Sequence, residues 1–371
     1  MKYRLLFAAL FSTVFSFAQD VHLFIGTYTG TGSKGIYVYK FNTTTGKATW
    51  VSNTDSMVNP SFLTVSSNGK FLYSVSESGG NFPGKVNAFS FDKKTGQLKF
   101  INEQTSGGDN PCYVSITKNG QWVAVGNYTG GNLSMFKTKP NGALMPVAQF
   151  IQHYGTGPNK SRQEKAHVHS TVFSPDEKFL FAPDLGMDKV MVYKFRATSN
   201  LPLEPAAEPF AETLPGSGPR HLVFHPTIKK YAYLVNEMAG AVNGYIFEKG
   251  KLSNIQNIAM HPGDFKGQPG SADIHLSPDG KFLYASNRGE ENNIVIYAVE
   301  PMNGLLTLKG YQSVLGTKPR NFCIDPTGNF LLVANQDSGN IVIFKRDKET
   351  GFLTPTGEEI KIPKPVCLVM K

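Results

Sequence analysis

Three kinds of side chain in this sequence could do acid–base and electrostatic chemistry together, and they recur in two kinds of place. Histidine and arginine gather in short segments that lead into apolar runs: His167 and His169 in AHVH, Arg220 and His221 in GPRH, Asp273 and His275 in SADIH, and Arg320 with Asn321 in KPRN. Carboxylates, amides and a further arginine come after a second apolar run: Glu77, Asn127, Asp184, Asn236 and Glu237, Asn287 and Arg288, and Asn335 with Gln336. A partly buried histidine or glutamate can be tuned to take a proton near neutral pH. A guanidinium can stabilise a developing oxyanion or grip a carboxylate or phosphate through two parallel hydrogen bonds. Each of these residues alone has an ordinary structural use, satisfying backbone groups beside it. Converging on one opening, they make a site for an anionic small molecule, and buried arginine in particular is rare without a partner or ligand.

These residues lie far apart in the chain, so the fold has to bring them together. The unit that repeats is clearest at 271–288, SADIHLSPDGKFLYASNR: a short apolar strand, a Ser-Pro-Asp-Gly turn, a second strand and a polar loop. Pro278, Asp279 and Gly280 supply the fixed φ, the side-chain-capped turn and the positive φ of a tight reversal. Alternating apolar positions on either side read as strand. Copies begin at Asn59, Asn110, Ala166, Gly218, Ser271 and Lys318, at intervals of roughly fifty residues, the period of a four-stranded propeller blade. After each copy comes an apolar-aromatic run such as KVNAFSFD at 85 or NIVIYAV at 293, then a turn and room for an outer strand.

A seventh copy is divided between the chain ends. KPVCLVM at 364–370 matches the first strand of the unit, and HLFIGTYTG at 22–30 matches its second-strand half. The prediction is an all-β, seven-bladed β-propeller with four-stranded blades, closed where the C-terminal innermost strand joins the N-terminal strands, so that no open edge remains. In such a ring the segments leading into the innermost strands and those leaving the second strands emerge on one face, around the mouth of the central channel.

Residues 1–19 stand outside the repeat. Lys2 and Arg4, an apolar run, and Ser16-Phe17-Ala18 before Gln19 read as a secretory signal, which leaves residues 20–371 as one propeller domain working in the periplasm or outside the cell, or in the cytoplasm if no signal operates. The formal net charge is +9, but basic residues are scattered over turns instead of forming a stripe, which argues against nucleic acid and suits a small anion. No span for a membrane is expected after the signal, and a monomer or weak dimer is expected. Cys112, Cys323 and Cys367 fall in predicted innermost strands and read as buried free thiols. GTYTGTGSKG at 26–35 precedes no helix and reads as a hairpin loop, not a phosphate cradle. No G-x-S-x-G elbow is present. The polar stretch GPNKSRQEKAHVH at 157–169 has the character of an insertion able to fold over the mouth. The histidines, with Glu237 and Asp184, leave a metal site conceivable, but the expected site has none.

AHVHS, GPRH, Asn236-Glu237, SADIHLSPDGKFLYASNRG and PRNFCIDPTGNFLLVANQ resemble the seven-bladed propeller lactonases, a family that includes propeller-type 6-phosphogluconolactonase and the fungal-type carboxy-muconate cycloisomerases. The resemblance covers nearly all of the chain after residue 20. It implies carbohydrate metabolism, specifically hydrolysis of a sugar lactone, most readily 6-phosphogluconolactone, with no cofactor. It places the catalytic residues at His169, Arg220, Glu237 and Arg288, while His167, His221, His275, Arg320 and Asn335 are expected to bind substrate. A cycloisomerase or lyase acting on a carboxylated lactone, and a non-enzymatic exported binding module, remain the alternatives.

Overall fold

The computed structural model describes residues 20–30 and 32–371; the expected signal segment lies outside them. The chain forms seven four-stranded antiparallel sheets. Blade 1 combines the strand Pro365–Met370 with residues 20–53. Blades 2 to 7 come in order at 63–105, 111–152, 172–212, 219–259, 271–313 and 319–361. In each the first strand is innermost, in the order the repeat predicts.

Closure at the seam is a true ladder. Leu23, Phe24, Ile25 and Gly26 pair with Met370, Val369, Leu368 and Cys367, so the first described strand and the last strand are joined by backbone hydrogen bonds and leave no open edge between them.

The core consists of seven slabs, one at each junction between neighbouring blades. The slab between blades 7 and 1, for example, packs Leu332, Ala334 and Ile341 against Leu23, Ile25 and Leu368. The strands alternate faces, so each blade gives apolar side chains to both of its neighbours. Tyrosine hydroxyls latch the same junctions: Tyr73 donates to Gly142 O at 2.9 Å, Tyr233 to Gly304 O at 2.8 Å and Tyr284 to Gly351 O at 2.7 Å. The three cysteines are buried and free, so the ring holds without a disulfide.

The seam carries the same kind of load as any other junction. Leu368→Ala should therefore cost about 2–5 kcal/mol, read as a shift of the urea unfolding transition, and an unchanged transition would show that the last strand does not close the ring.

Candidate active site

The innermost strands are irregular at one level, and that irregularity builds the site. In five blades a residue with positive φ is followed by proline: Asn59-Pro60, Asn110-Pro111, Gly218-Pro219, Lys318-Pro319 and Lys364-Pro365. Proline at the start of a strand costs no ladder bond. The ladder then skips the next residue in four of them, leaving Cys112, Arg220, Arg320 and Val366 as bulges opposite the second strand. Blade 6 skips Ala272 and Asp273 without a proline. Bulges re-aim side chains, and here they aim at the axis: Cys112, Arg220, Arg320 and Val366, with Ser61 of the fifth Pro segment, line one small axial chamber.

Blade 4 departs from the expected continuous strand. Only Val172 and Phe173 form a regular ladder, and His167 to His169 are attached by an isolated bridge between Val168 and Asp184. The Asp184 side chain explains the difference. Its Oδ1 accepts His167 N at 2.7 Å and Gly186 N at 3.0 Å, while Oδ2 accepts His153 Nδ1 at 2.7 Å. The carboxylate replaces ladder bonds and fixes the segment that carries His169.

Above the chamber lies a cavity of about 420 Å³ at the mouth, to which Tyr28, Arg162, Glu237, Arg288, Arg320 and Gln336 contribute. Its floor is organised by Glu237. Oε2 accepts Arg220 Nε at 2.9 Å and meets Arg288 Nη2 at 3.0 Å and His169 Nε2 at 4.0 Å; Oε1 accepts Arg162 Nη2 at 2.7 Å. Arg220 also donates to Ala272 O, and Arg288 Nε to Gly270 O at 3.0 Å. Burial by itself would raise the Glu237 pKa, but Arg288, Arg220, His169 and Arg162 outweigh it and hold the carboxyl well below its ordinary 4.5. Burial, then the charges of Arg288 and Arg320, push the Arg220 guanidinium down to about 10, still protonated at neutral pH. Burial, Arg220 and His221 lower His169 well below 6.5, so its imidazole is neutral and available as a proton acceptor.

Arg320 is the exception. It stacks over the Tyr28 ring at 5.4 Å, and Tyr28 OH donates to Glu77, yet the Arg320 guanidinium has no hydrogen bond or ion pair of its own among the described residues. A second network lies deeper. Asp273 Oδ1 accepts His221 Nδ1 at 2.8 Å, and Oδ2 takes His275 Nε2 at 2.9 Å, Phe322 N at 3.3 Å and Asn321 Nδ2. His221 is packed edge-on against His169, 5.3 Å between ring centres, with its pKa lowered to about 4 by burial and by Arg220.

The structure thus brings Glu237, Arg288 and Arg320 to one mouth and packs Arg220 and His169 against Glu237 beneath its lining, with Arg220 and His221 in the axial chamber. Three other residues expected at the substrate are placed differently. His167 stacks on Tyr128 at 4.5 Å and bonds Tyr128 O and Glu164, outside the mouth lining. His275 lies four residues down its strand from the mouth-level Ser271, about 13 Å at strand rise, beneath Asp273 and against Phe322. Asn335 is completely buried and donates to Val314 O at 3.1 Å, the same bond that Asn127 makes to Ser106 O and Asn287 to Met260 O. It anchors the blade, and its neighbour Gln336 is the residue at the mouth.

Arg162, Tyr28 and Tyr128 carry no role in the sequence reading. Arg162 sits in the 157–169 stretch expected over the mouth, and Gln163 pins it there: Nε2 donates to Leu185 O at 2.9 Å and to Asp188 Oδ1 at 2.8 Å. Among the described residues no group of three or more His, Cys, Asp or Glu is placed to hold a metal. A larger cleft of about 760 Å³ on the flank of blades 1 and 2 is lined by Met57, Val58, Phe82 and Phe100, and its Lys85 and Glu103 pair with each other. It gathers none of the histidines or arginines.

Glu237 and Asp273 are both depressed, Asp273 through His275 and His221 against the opposing effect of burial. Their ionised forms therefore stabilise the fold fully above their ordinary values of 4.5 and 3.8, and that stability drains away as pH falls toward the lower folded-state values. The melting temperature should fall steadily on acidification below about pH 4.5. Glu237→Gln should lose about 3–5 kcal/mol at pH 7, because it strands buried arginine, and should show a flatter acid decline; parallel profiles would contradict this charge balance.

Comparison with known proteins agrees with this architecture. The family model described as lactonase, 7-bladed beta-propeller matches residues 22–370. The 6-phosphogluconolactonase of Formosa agariphila is 44% identical over 92% of this chain and 96% of that protein. The Bacillus subtilis 6-phosphogluconolactonase is 36% identical over 93% and 97%. The periplasmic gluconolactonase structure from Pseudomonas aeruginosa superposes with a TM-score of 0.90 at 36% identity, covering 95% of this chain and 99% of that one. The chain belongs to the seven-bladed β-propeller lactonase family.

Proposed function

We propose that this protein hydrolyses a sugar lactone, with 6-phosphogluconolactone as the preferred substrate, and that it does so outside the cytoplasm. The observation that carries the reading is the mouth itself: one carboxylate shared by three guanidinium groups, a neutral histidine 4.0 Å away, and a fourth arginine in the lining with no ion pair of its own among the described residues. The family relatives named as 6-phosphogluconolactonases supply the substrate class. Export is supported by the character of residues 1–19 and by the likeness to a periplasmic gluconolactonase. N-terminal sequencing of the protein recovered from the periplasm or medium, beginning near residue 20, tests it; a chain retained whole in the cytoplasm would refute it.

In this mechanism His169 takes the proton as water oxygen attacks the lactone carbonyl. Glu237 is a poor proton acceptor because its cations hold it ionised, but it steadies the imidazolium that forms, the role a carboxylate plays beside a catalytic histidine. Arg288 and Arg220 face the oxygen on which negative charge develops. Collapse of the tetrahedral intermediate breaks the ring C–O bond, the proton passes from His169 to the departing alkoxide, and the hydroxy acid leaves, its new carboxyl group giving its remaining proton to solvent. Arg320 grips the substrate's distal anion, a phosphate or carboxylate, bidentately.

The roles separate kinetically. Arg288→Ala should lower kcat/KM for 6-phosphogluconolactone by about a hundred- to a thousand-fold with the circular dichroism spectrum unchanged. Arg320→Met should raise KM for the phosphorylated lactone far more than for δ-gluconolactone. Equal rates in wild type and both variants would remove Arg288 and Arg320 from the assigned roles, and turnover of a muconolactone in place of the sugar lactones would favour the cycloisomerase reading.

A further inference from the structure

The turn between the second and third strands of blade 4 differs from its counterparts at both ends. Blades 3, 5 and 7 make this reversal with five residues that begin with asparagine and end with glycine: Asn127–Gly131, Asn236–Gly240 and Asn335–Gly339. The terminal glycines have φ of 61°, 59° and 66°, the left-handed region that glycine enters without steric cost. Blade 4 makes the same reversal with Asp184–Asp188, and Asp188 adopts the same backbone, φ 54°, with a side chain attached. A carboxylate therefore stands at each end, one of them at a position whose conformation favours glycine.

The partners of these carboxylates explain the exchange. Asparagine donates at its station: Nδ2 of Asn127 to Ser106 O at 3.2 Å and that of Asn335 to Val314 O at 3.1 Å. The aspartates only accept. Asp184 takes His167 N, Gly186 N and His153 Nδ1. Asp188 Oδ1 takes Gln163 Nε2 at 2.8 Å and Gly218 N at 2.9 Å, and its Oδ2 takes Gly216 N at 2.7 Å. Between them, Leu185 N donates to His167 O at 2.9 Å and Leu185 O accepts Gln163 Nε2. Gly186 lets the two segments close on each other, since a Cβ there would collide with Lys165 O. Asp184 and Asp188 are 0% and 7% exposed, so these bonds are made out of water, where an unmet donor is expensive.

Each segment held this way carries a group that reaches Glu237. His167 leads to His169, Gln163 follows Arg162, and Gly218 comes two residues before Arg220. Gly218 O also accepts Glu237 N at 2.8 Å, which ties the backbone of that glutamate to the same turn. We propose that Asp184 and Asp188 are positioning residues for lactone hydrolysis: from one turn they fix where His169, Arg162 and Arg220 stand around Glu237. The assignment rests on the hydrolytic reading of the mouth, and neither aspartate lines the mouth cavity.

Asp188→Gly separates the carboxylate from the fold, because glycine is what blades 3, 5 and 7 use there. It should keep the circular dichroism spectrum while kcat/KM falls by about a hundred-fold, the scale of a misplacement near 1 Å. Asp184→Asn retains Oδ1 for His167 N and Gly186 N, and its Nδ2 donates to His153 in the other tautomer, so it should stay within a few-fold of wild type. Asp184→Leu has no acceptor and should lower kcat by about a hundred-fold with KM nearly unchanged. In the substrate-free protein, the amides of Gly216 and Gly218 should exchange with solvent faster in Asp188→Gly, with the turns of blades 3 and 7 unaltered. Wild-type kinetics in Asp188→Gly, equal losses in Asp184→Asn and Asp184→Leu, or unaltered exchange at Gly216 and Gly218 would each overturn the assignment. A wild type inactive on every sugar lactone would refute the hydrolytic reading instead, and the exchange rates would still decide the placement.

Discussion

A single buried carboxylate governs the centre of this molecule. Glu237 is contributed by blade 5, and the groups that compensate it come from blade 5, blade 6 and the segment that bends over the mouth. Taking ionised groups out of water is expensive, and their mutual attraction repays the cost only with close geometry and further hydrogen bonds. Each guanidinium here meets that condition, through Ala272 O for Arg220, Gly270 O for Arg288 and Tyr128 OH for Arg162. The cluster is weak evidence for stability in itself. Its effect is to allow one relative placement of three separated parts of the chain, while the neutrality of His169 results first from burial and then from Arg220 of the same cluster.

The ring makes that placement possible because each blade is independently cored against its two neighbours. Seven apolar slabs carry the packing, which leaves the axis free to be polar. Where a helical or sandwich protein would bury arginine at the expense of its core, this architecture removes the axis from the core altogether.

The fold was legible because it is written seven times. Turn chemistry at Ser277–Gly280 and its counterparts, and the matching halves at 22–30 and 364–370, specify blade number and seam without any long-range information. The mouth was legible to the extent that topology dictates it: Arg220, Glu237, Arg288 and Arg320 all start or end strands where the loops must converge. What failed was the step from level on the axis to orientation. Asn335 and Gln336 are adjacent, yet the buried one braces Val314 O and the other reaches the mouth. His275 shares a channel face with Asp273 but lies too far down it. Arg162 was hidden because no repeat covers its segment; the buried contacts of Gln163 with Asp188 and Leu185 fix it, and such contacts have no local signature. The proline that precedes Ser61, Cys112, Arg220, Arg320 and Val366 was in plain view as a repeated letter, but its meaning as a bulge depends on the register of the partner strand.

That bulge separates architecture from identity. The bend is set by the backbone of the two residues before it, with φ of 51° at Asn110, 66° at Gly218, 56° at Lys318 and 44° at Lys364, and the ladder resumes whichever side chain occupies the bulged position. Cysteine, arginine and valine therefore occupy equivalent stations around one turret, held there by the same backbone bend. A protein built this way can exchange the contents of its axis one blade at a time, so relatives with the same ring are free to diverge in what they grip at the centre while hardly altering how they stand up.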